Sequence, residues 1–115
     1  MSTIDPTIQT TDTGLIRVTW AGLAAGDDGA PIDYPAYADR TVQVSGVFNG
    51  TTVVLEGSLL DPPTAWATLT DQLGSEVSMS GADIKLVAEA TTFIRPRVFG
   101  GIDVNVNVTM LLRRK

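Results

Sequence analysis

The sequence predicts an all-β protein: an antiparallel β-sandwich, jelly-roll or Ig-like, with one short helix near residues 81–90. Three observations predict it. From Ile102 to Leu112, the apolar Ile102, Val104, Val106, Val108, Met110 and Leu112 alternate with Asp103, Asn105, Asn107 and Thr109. That is the period of a strand with one buried and one wet face. Asn49-Gly50 sits between two further β-runs, a combination that favours a type I′ turn because both central positions need positive φ. About six or seven short runs of this kind are joined by turn residues along the chain, the pattern of a sandwich.

Taken in order, residues 1–13 are polar and aperiodic and are expected as a flexible N-terminal arm. Gly14 to Leu23 alternates Ile16, Val18 and Trp20 with Leu15, Arg17 and Thr19, a first strand. Residues 24–39 form a long loop dense in turn residues, and loops of that length are often functional. Arg40 to Phe48 is a second strand, and a hairpin through Asn49-Gly50 leads to a third over Thr51 to Gly57. Asp61-Pro62-Pro63 breaks the chain before short strands at Ala65 to Thr70 and Glu76 to Met79, with a turn at 71–74 between them. Ser80 is placed to cap a helical turn over Gly81 to Ala90, with Asp83 as the capping-box carboxylate and Ile84, Val87 and Ala88 as the apolar stripe. Phe93 to Phe99 is a strand whose Pro96 cannot donate to a ladder, so an edge or a bulge is expected there. Gly100-Gly101 turns it into the last strand as a second hairpin.

The chain has 115 residues, room for one domain, expected over 14–115. It is 43% hydrophobic and 18% charged, a globular balance. With no cysteine there is no disulfide framework and no thiol nucleophile. No apolar run reaches the roughly 20 residues of a membrane span. The opening residues lack the basic and apolar regions of a signal peptide, so the chain is expected to be made and assembled in a cytoplasm. A net charge of −5 argues against nucleic acid as the main partner. Acids crowd the front (Asp5, Asp12, Asp27, Asp28, Asp33, Asp39) and cations the back (Arg95, Arg97, Arg113, Arg114, Lys115). This asymmetry suits head-to-tail contacts between copies or a complementary partner; a solvated surface accounts for it equally.

The chemistry of catalysis is missing. Without histidine the commonest general base and metal ligand are gone. No catalytic residue, metal site or cofactor is therefore expected. Asp27-Asp28-Gly29 with Asp33 carries oxygens suited to calcium but lacks the spacing of a helix-loop-helix site. Trp66 near Glu56, Asp61 or Asp71 resembles part of a sugar site, yet nothing fixes two carboxylates across a cleft; a tryptophan in a small sandwich is more often a core plug. Tyr34 and Tyr37 suit a contact surface, or else cap the core edge. Arg95 and Arg97 share one face of a strand and form a fork pair for carboxylates, either a partner's or the chain's own Glu56 or Asp39. Ile4, Pro6 and Ile8 are the apolar positions through which the arm would grip a partner.

TVQVSGVFNGTTVVLEGS (41–58), WATLTDQLG (66–74), FIRPRVFGG (93–101) and VNVTMLLRR (106–114) together resemble the head decoration, or cement, proteins of tailed phages and related small virion β-sandwich proteins. The resemblance covers about residues 40–114 and leaves out 1–39. Where that family carries a Ser-Asn-Asp-Gly turn, this chain has Leu59 to Pro63, so contacts through that loop do not carry over. The resemblance implies a non-enzymatic protein on the capsid exterior that clamps major capsid protein subunits. It also implies a homo-oligomer, with a trimer favoured and a dimer possible. The alternative is a carbohydrate- or host-surface-binding module of a tail or fibre, with Trp66 and the two tyrosines as its stacking platform.

Overall fold

A computed structural model describes residues 2–12 and 14–114. Met1, Thr13 and Lys115, which belong to the expected arm and to the basic terminus, lie outside the described residues. The strands are β1 (Thr3–Ile4), β2 (Thr7–Asp12), β3 (Leu15–Leu23), β4 (Asp28–Gly29), β5 (Asp39–Val47), β6 (Thr52–Ser58), β7 (Ala67–Thr68), β8 (Ser78–Met79), β9 (Asp83–Val87), β10 (Phe93–Phe99) and β11 (Asn105–Arg113). They form two sheets. The first runs β1-β4-β10-β6-β7, with β8 also on β6; the second runs β2-β3-β11-β5-β9. All pairs are antiparallel except β1 with β4.

The alternation read at the C-terminal strand is what closes the sandwich. Val106, Val108, Met110 and Leu112 are fully buried, and β11 lies between β3 and β5 at the centre of the second sheet. Across from them pack Leu55, Val53, Ile94 and Val98 of the first sheet. Each such side chain contributes about 1.5–3 kcal/mol by leaving water. Ile102 does not join this face. It is 76% exposed on the loop before β11. The tryptophan that plugs the core is Trp20, fully buried with its Nε1 donating to the Ala30 carbonyl at 3.0 Å. Trp66, expected as the plug, stands half-buried on the outside of the first sheet.

No helix forms among the described residues. The segment expected to be helical contains β9, which pairs along β5 from Arg40↔Val87 to Val44↔Asp83. Asp83 Oδ1 accepts from the amide of Ile84 at 2.8 Å. β5 would otherwise be an uncovered edge, and Ile84 and Val87 are β-branched; pairing a long strand outweighs a single turn of helix. Within the expected arm of residues 1–13, Thr3–Ile4 and Thr7–Asp12 are paired: β1 extends the first sheet and β2 the second.

Neither expected hairpin exists. Asn49 and Gly50 do have positive φ, 44° and 86°, and the Thr51 amide donates to the Phe48 carbonyl at 2.9 Å. Yet β5 and β6 lie in opposite sheets, as do β10 and β11 across Gly100-Gly101. Turn chemistry fixes a reversal of the chain and not the sheet that receives the next strand.

Strand β10 is not at an edge either; it runs between β6 and β4. On the β4 side, Ile94 exchanges backbone bonds with Ile32 at 3.0 and 3.1 Å, and the Val98 amide donates to the Asp27 carbonyl at 3.0 Å. Pro96 falls between these two on that side, where β4 is only two residues long. Its ring fits because Gly29 opposite has no side chain: a Cβ there would lie 2.5 Å from Pro96 Cδ.

Candidate functional site

The register of β10 on β6 decides what the arginine pair does. It sets Arg95 opposite Glu56, and Arg97 between Val54 and Asp28. Arg95 Nη2 reaches Glu56 Oε1 at 3.1 Å, and Arg97 Nε reaches Asp28 Oδ1 at 2.8 Å. Cross-links at 3.9 Å (Arg95–Asp28) and 3.8 Å (Arg97–Glu56) join the two pairs. Two cations and two anions thus close into one net on the outer face of the first sheet. Aromatic rings cover its ends: Arg95 lies 4.1 Å from the Trp66 ring centroid and Arg97 4.7 Å from that of Phe99, within cation–π range. The fork meets the chain's own acids. Of the two acids considered for it, Glu56 takes the role, while Asp39 pairs with Arg113.

Tyr34 and Tyr37 are half-buried against the core, edge to face with centroids 5.8 Å apart. The Arg114 guanidinium lies 5.5 Å from the Tyr37 ring. Their carbonyls serve Arg40, which no motif or spacing marks out. Arg40 is 2% exposed. Its Nε donates to Tyr37 O at 2.8 Å and its Nη2 to Tyr34 O at 3.0 Å and Thr91 O at 2.9 Å. Burial lowers its pKa from the ordinary arginine value. A charged residue opening a strand carries no signal for this in sequence, since only the folded loops supply the carbonyls.

Ile4 packs half-buried on the core from β1, and Pro6 is half-buried beside it. Ile8 on β2 is 45% exposed. Asp27, considered for calcium, accepts from the Ser2 amide with one oxygen and from the Ala24 amide with the other, both at 2.9 Å. Asp28 is in the arginine net. Among the described residues no group of three or more metal-ligating side chains converges.

A groove of about 440 Å³ runs beside Trp66, lined also by Leu59, Leu60, Thr68, Glu89 and Thr91. Its carboxylate is engaged. Both Glu89 oxygens accept from Thr70, one from the amide at 2.7 Å and one from the hydroxyl. The Thr70 hydroxyl bond outweighs partial burial and holds the Glu89 carboxyl below its ordinary pKa. The tyrosine rings, packed on each other and on the core, do not present a shared stacking platform with Trp66, whose ring is engaged by Arg95.

No protein-family model matches the chain, and no curated protein matches it in sequence. Its fold is found among solved structures. The SPBc2 prophage-derived protein YomS superposes with a TM-score of 0.64 at 11% identity, over 90% of this chain and 98% of that one. BH2720 from Bacillus halodurans gives 0.52 at 14% identity, over 96% of this chain and 70% of that one. A cleaved adhesin domain of Lys-gingipain gives 0.51 at 11% identity, over 95% and 83%. At these identities the likeness establishes a shared two-sheet β fold.

Proposed function

We propose that this chain is a non-enzymatic structural protein of a tailed-phage particle, working as a capsid decoration protein on the outer surface of major capsid protein subunits. The observation that carries the reading is the end-to-end match of its fold to a prophage-derived protein, covering 90% of one chain and 98% of the other. The side-chain chemistry supports it. The charged groups that would serve a reaction are used to hold the body together: Glu56 and Asp28 by two arginines, Asp27 by backbone amides, Glu89 by Thr70. A body with its charges paired internally acts through shape and surface. Its partners in this reading are the major capsid protein and further copies of itself.

Co-sedimentation tests it. Purified protein is mixed with capsids assembled from the major capsid protein of the same genome. Saturable binding is expected; its absence at micromolar protein overturns the reading.

The groove beside Trp66 favours a second reading, a carbohydrate- or host-surface-binding module. Tryptophan fluorescence during glycan titration tests it. Trp20 is buried and gives a constant background, so a saturable change that Trp66→Phe abolishes would support this reading, and a flat response would exclude it for the glycans used.

A further inference from the structure

A sheet edge presents unpaired backbone donors and acceptors to any extended chain, and stable monomers blunt such edges. Three of the edges here are blunted. In the first sheet the edge strands β1, β7 and β8 are two residues each. In the second sheet β9 carries Asp83 and Lys85 on its core-facing side. Beyond β9, Val87 bridges Asp71 and the Ala88 amide donates to the Thr70 carbonyl at 2.9 Å. The edge at β2 has none of these devices. It is six residues long and carries no charge or proline from Thr7 to Thr11. Among the described residues, no strand pairs with it on the side away from β3. Thr7, Ile8, Gln9 and Thr10 are exposed, and the one irregularity in its pairing comes after Thr10.

We propose that β2 pairs antiparallel with β2 of a second copy about a two-fold axis, joining the two second sheets into one. A second copy fits this edge because an isologous strand pair is complementary to itself, and the uncharged stretch from Thr7 to Thr11 brings no like charges together despite the net −5 of each copy. The register follows from the faces. Thr7 and Gln9 lie opposite Thr19 and Arg17 on the outer face, while Ile8 lies opposite the buried Val18. Keeping inner residues inner across the joint requires the axis to pass through a residue pair. Centring it on Gln9 pairs residues 8–10 among themselves, ahead of the irregularity after Thr10, and leaves out Pro6, which has no amide hydrogen. It also sets each exposed Ile8 opposite Thr10 of the other copy. The inference uses only the sheet edge and stands apart from the capsid reading.

The test is the mass of the full chain in solution by light scattering, with three variants. The native chain, free of cysteine, is expected as a dimer, and Gln9→Cys is expected to form a disulfide-linked dimer under mild oxidation, since facing strand residues lie within disulfide reach. Gln9→Lys is expected to weaken the dimer at least about tenfold by juxtaposing like charges, with an unchanged circular dichroism spectrum. Gln43→Lys, on the outer face of the same sheet, is expected to leave the dimer intact. A monomer at all concentrations, a trimer, a dimer indifferent to Gln9→Lys, or one lost equally in Gln43→Lys would overturn the proposal.

Discussion

The guanidinium of Arg40 holds Thr91 twice, donating from Nη2 to its carbonyl at 2.9 Å and from Nη1 to its hydroxyl at 3.3 Å. Thr91 in turn donates to the Phe93 carbonyl at 2.8 Å, so one side chain ties the start of β5 to the entry of β10. Replacing Arg40 with Leu leaves these buried acceptors unpaired; replacing it with Lys loses the planar fork that spans them. Both variants are expected to lose about 3 kcal/mol, read as a fall in melting temperature of roughly 12 °C.

The arginine net makes a second prediction. Glu56 is 9% exposed, so its pairs lie between surface and interior ion pairs in strength. Glu56→Gln is expected to cost about 1–2 kcal/mol. In a double-mutant cycle with Arg95→Gln the two changes should couple by at least about 0.5 kcal/mol. Additive effects in denaturant unfolding would show that the contact is idle.

Gly29 and Gly81 give a contrasting pair. A Cβ at Gly29 would lie 2.5 Å from Pro96 Cδ and 2.7 Å from Trp20 Cδ1, both ring atoms held in the core, whereas a Cβ at Gly81 meets nothing within 4 Å. Gly29→Ala is expected to destabilise by about 1–3 kcal/mol through overpacking. Gly81→Ala should shift the melting temperature very little.

Acid should weaken the fold through Asp71 and Glu89. Partial burial raises the Asp71 carboxyl, but the Ser75 amide, the Lys85 ammonium and the Leu73 amide together outweigh it and hold it below its ordinary value. Glu89 is held low by Thr70. A carboxyl with a folded pKa below its unfolded one adds stability above the unfolded value, about 4 for these groups. It loses that stability as pH falls through the folded value. Melting temperature is therefore expected to be level above about pH 5 and to fall below about pH 4. Asp71→Asn should show a shallower fall, and an identical acid limb would show that Asp71 contributes nothing.

Local pattern was legible in the sequence where burial alone decides it. The alternation of Val106, Val108, Met110 and Leu112 is set by one strand and its pleat, and Ile16-Val18-Trp20 reads the same way. What was not legible depends on partners far along the chain. Asp83–Val87 could be judged helical until β5 was seen to need a neighbour. Asn49-Gly50 announced its own φ angles but not the sheet beyond it. Likewise the arginine fork was visible, and only the register of β10 on β6 and β4 showed which acids fill it.

The chain crosses from one sheet to the other at seven of the ten connections between consecutive strands. Thr19 and Thr109, neighbours across β3 and β11, are 90 residues apart in sequence. Contacts of such high order must be assembled against loop-closure entropy before they return any stabilisation, so folding belongs in the millisecond-to-second range of sandwich proteins. The C-terminal strand β11 is bonded along both edges, to β3 and to β5, so a pull on that end loads two ladders of hydrogen bonds together and cannot peel one alone.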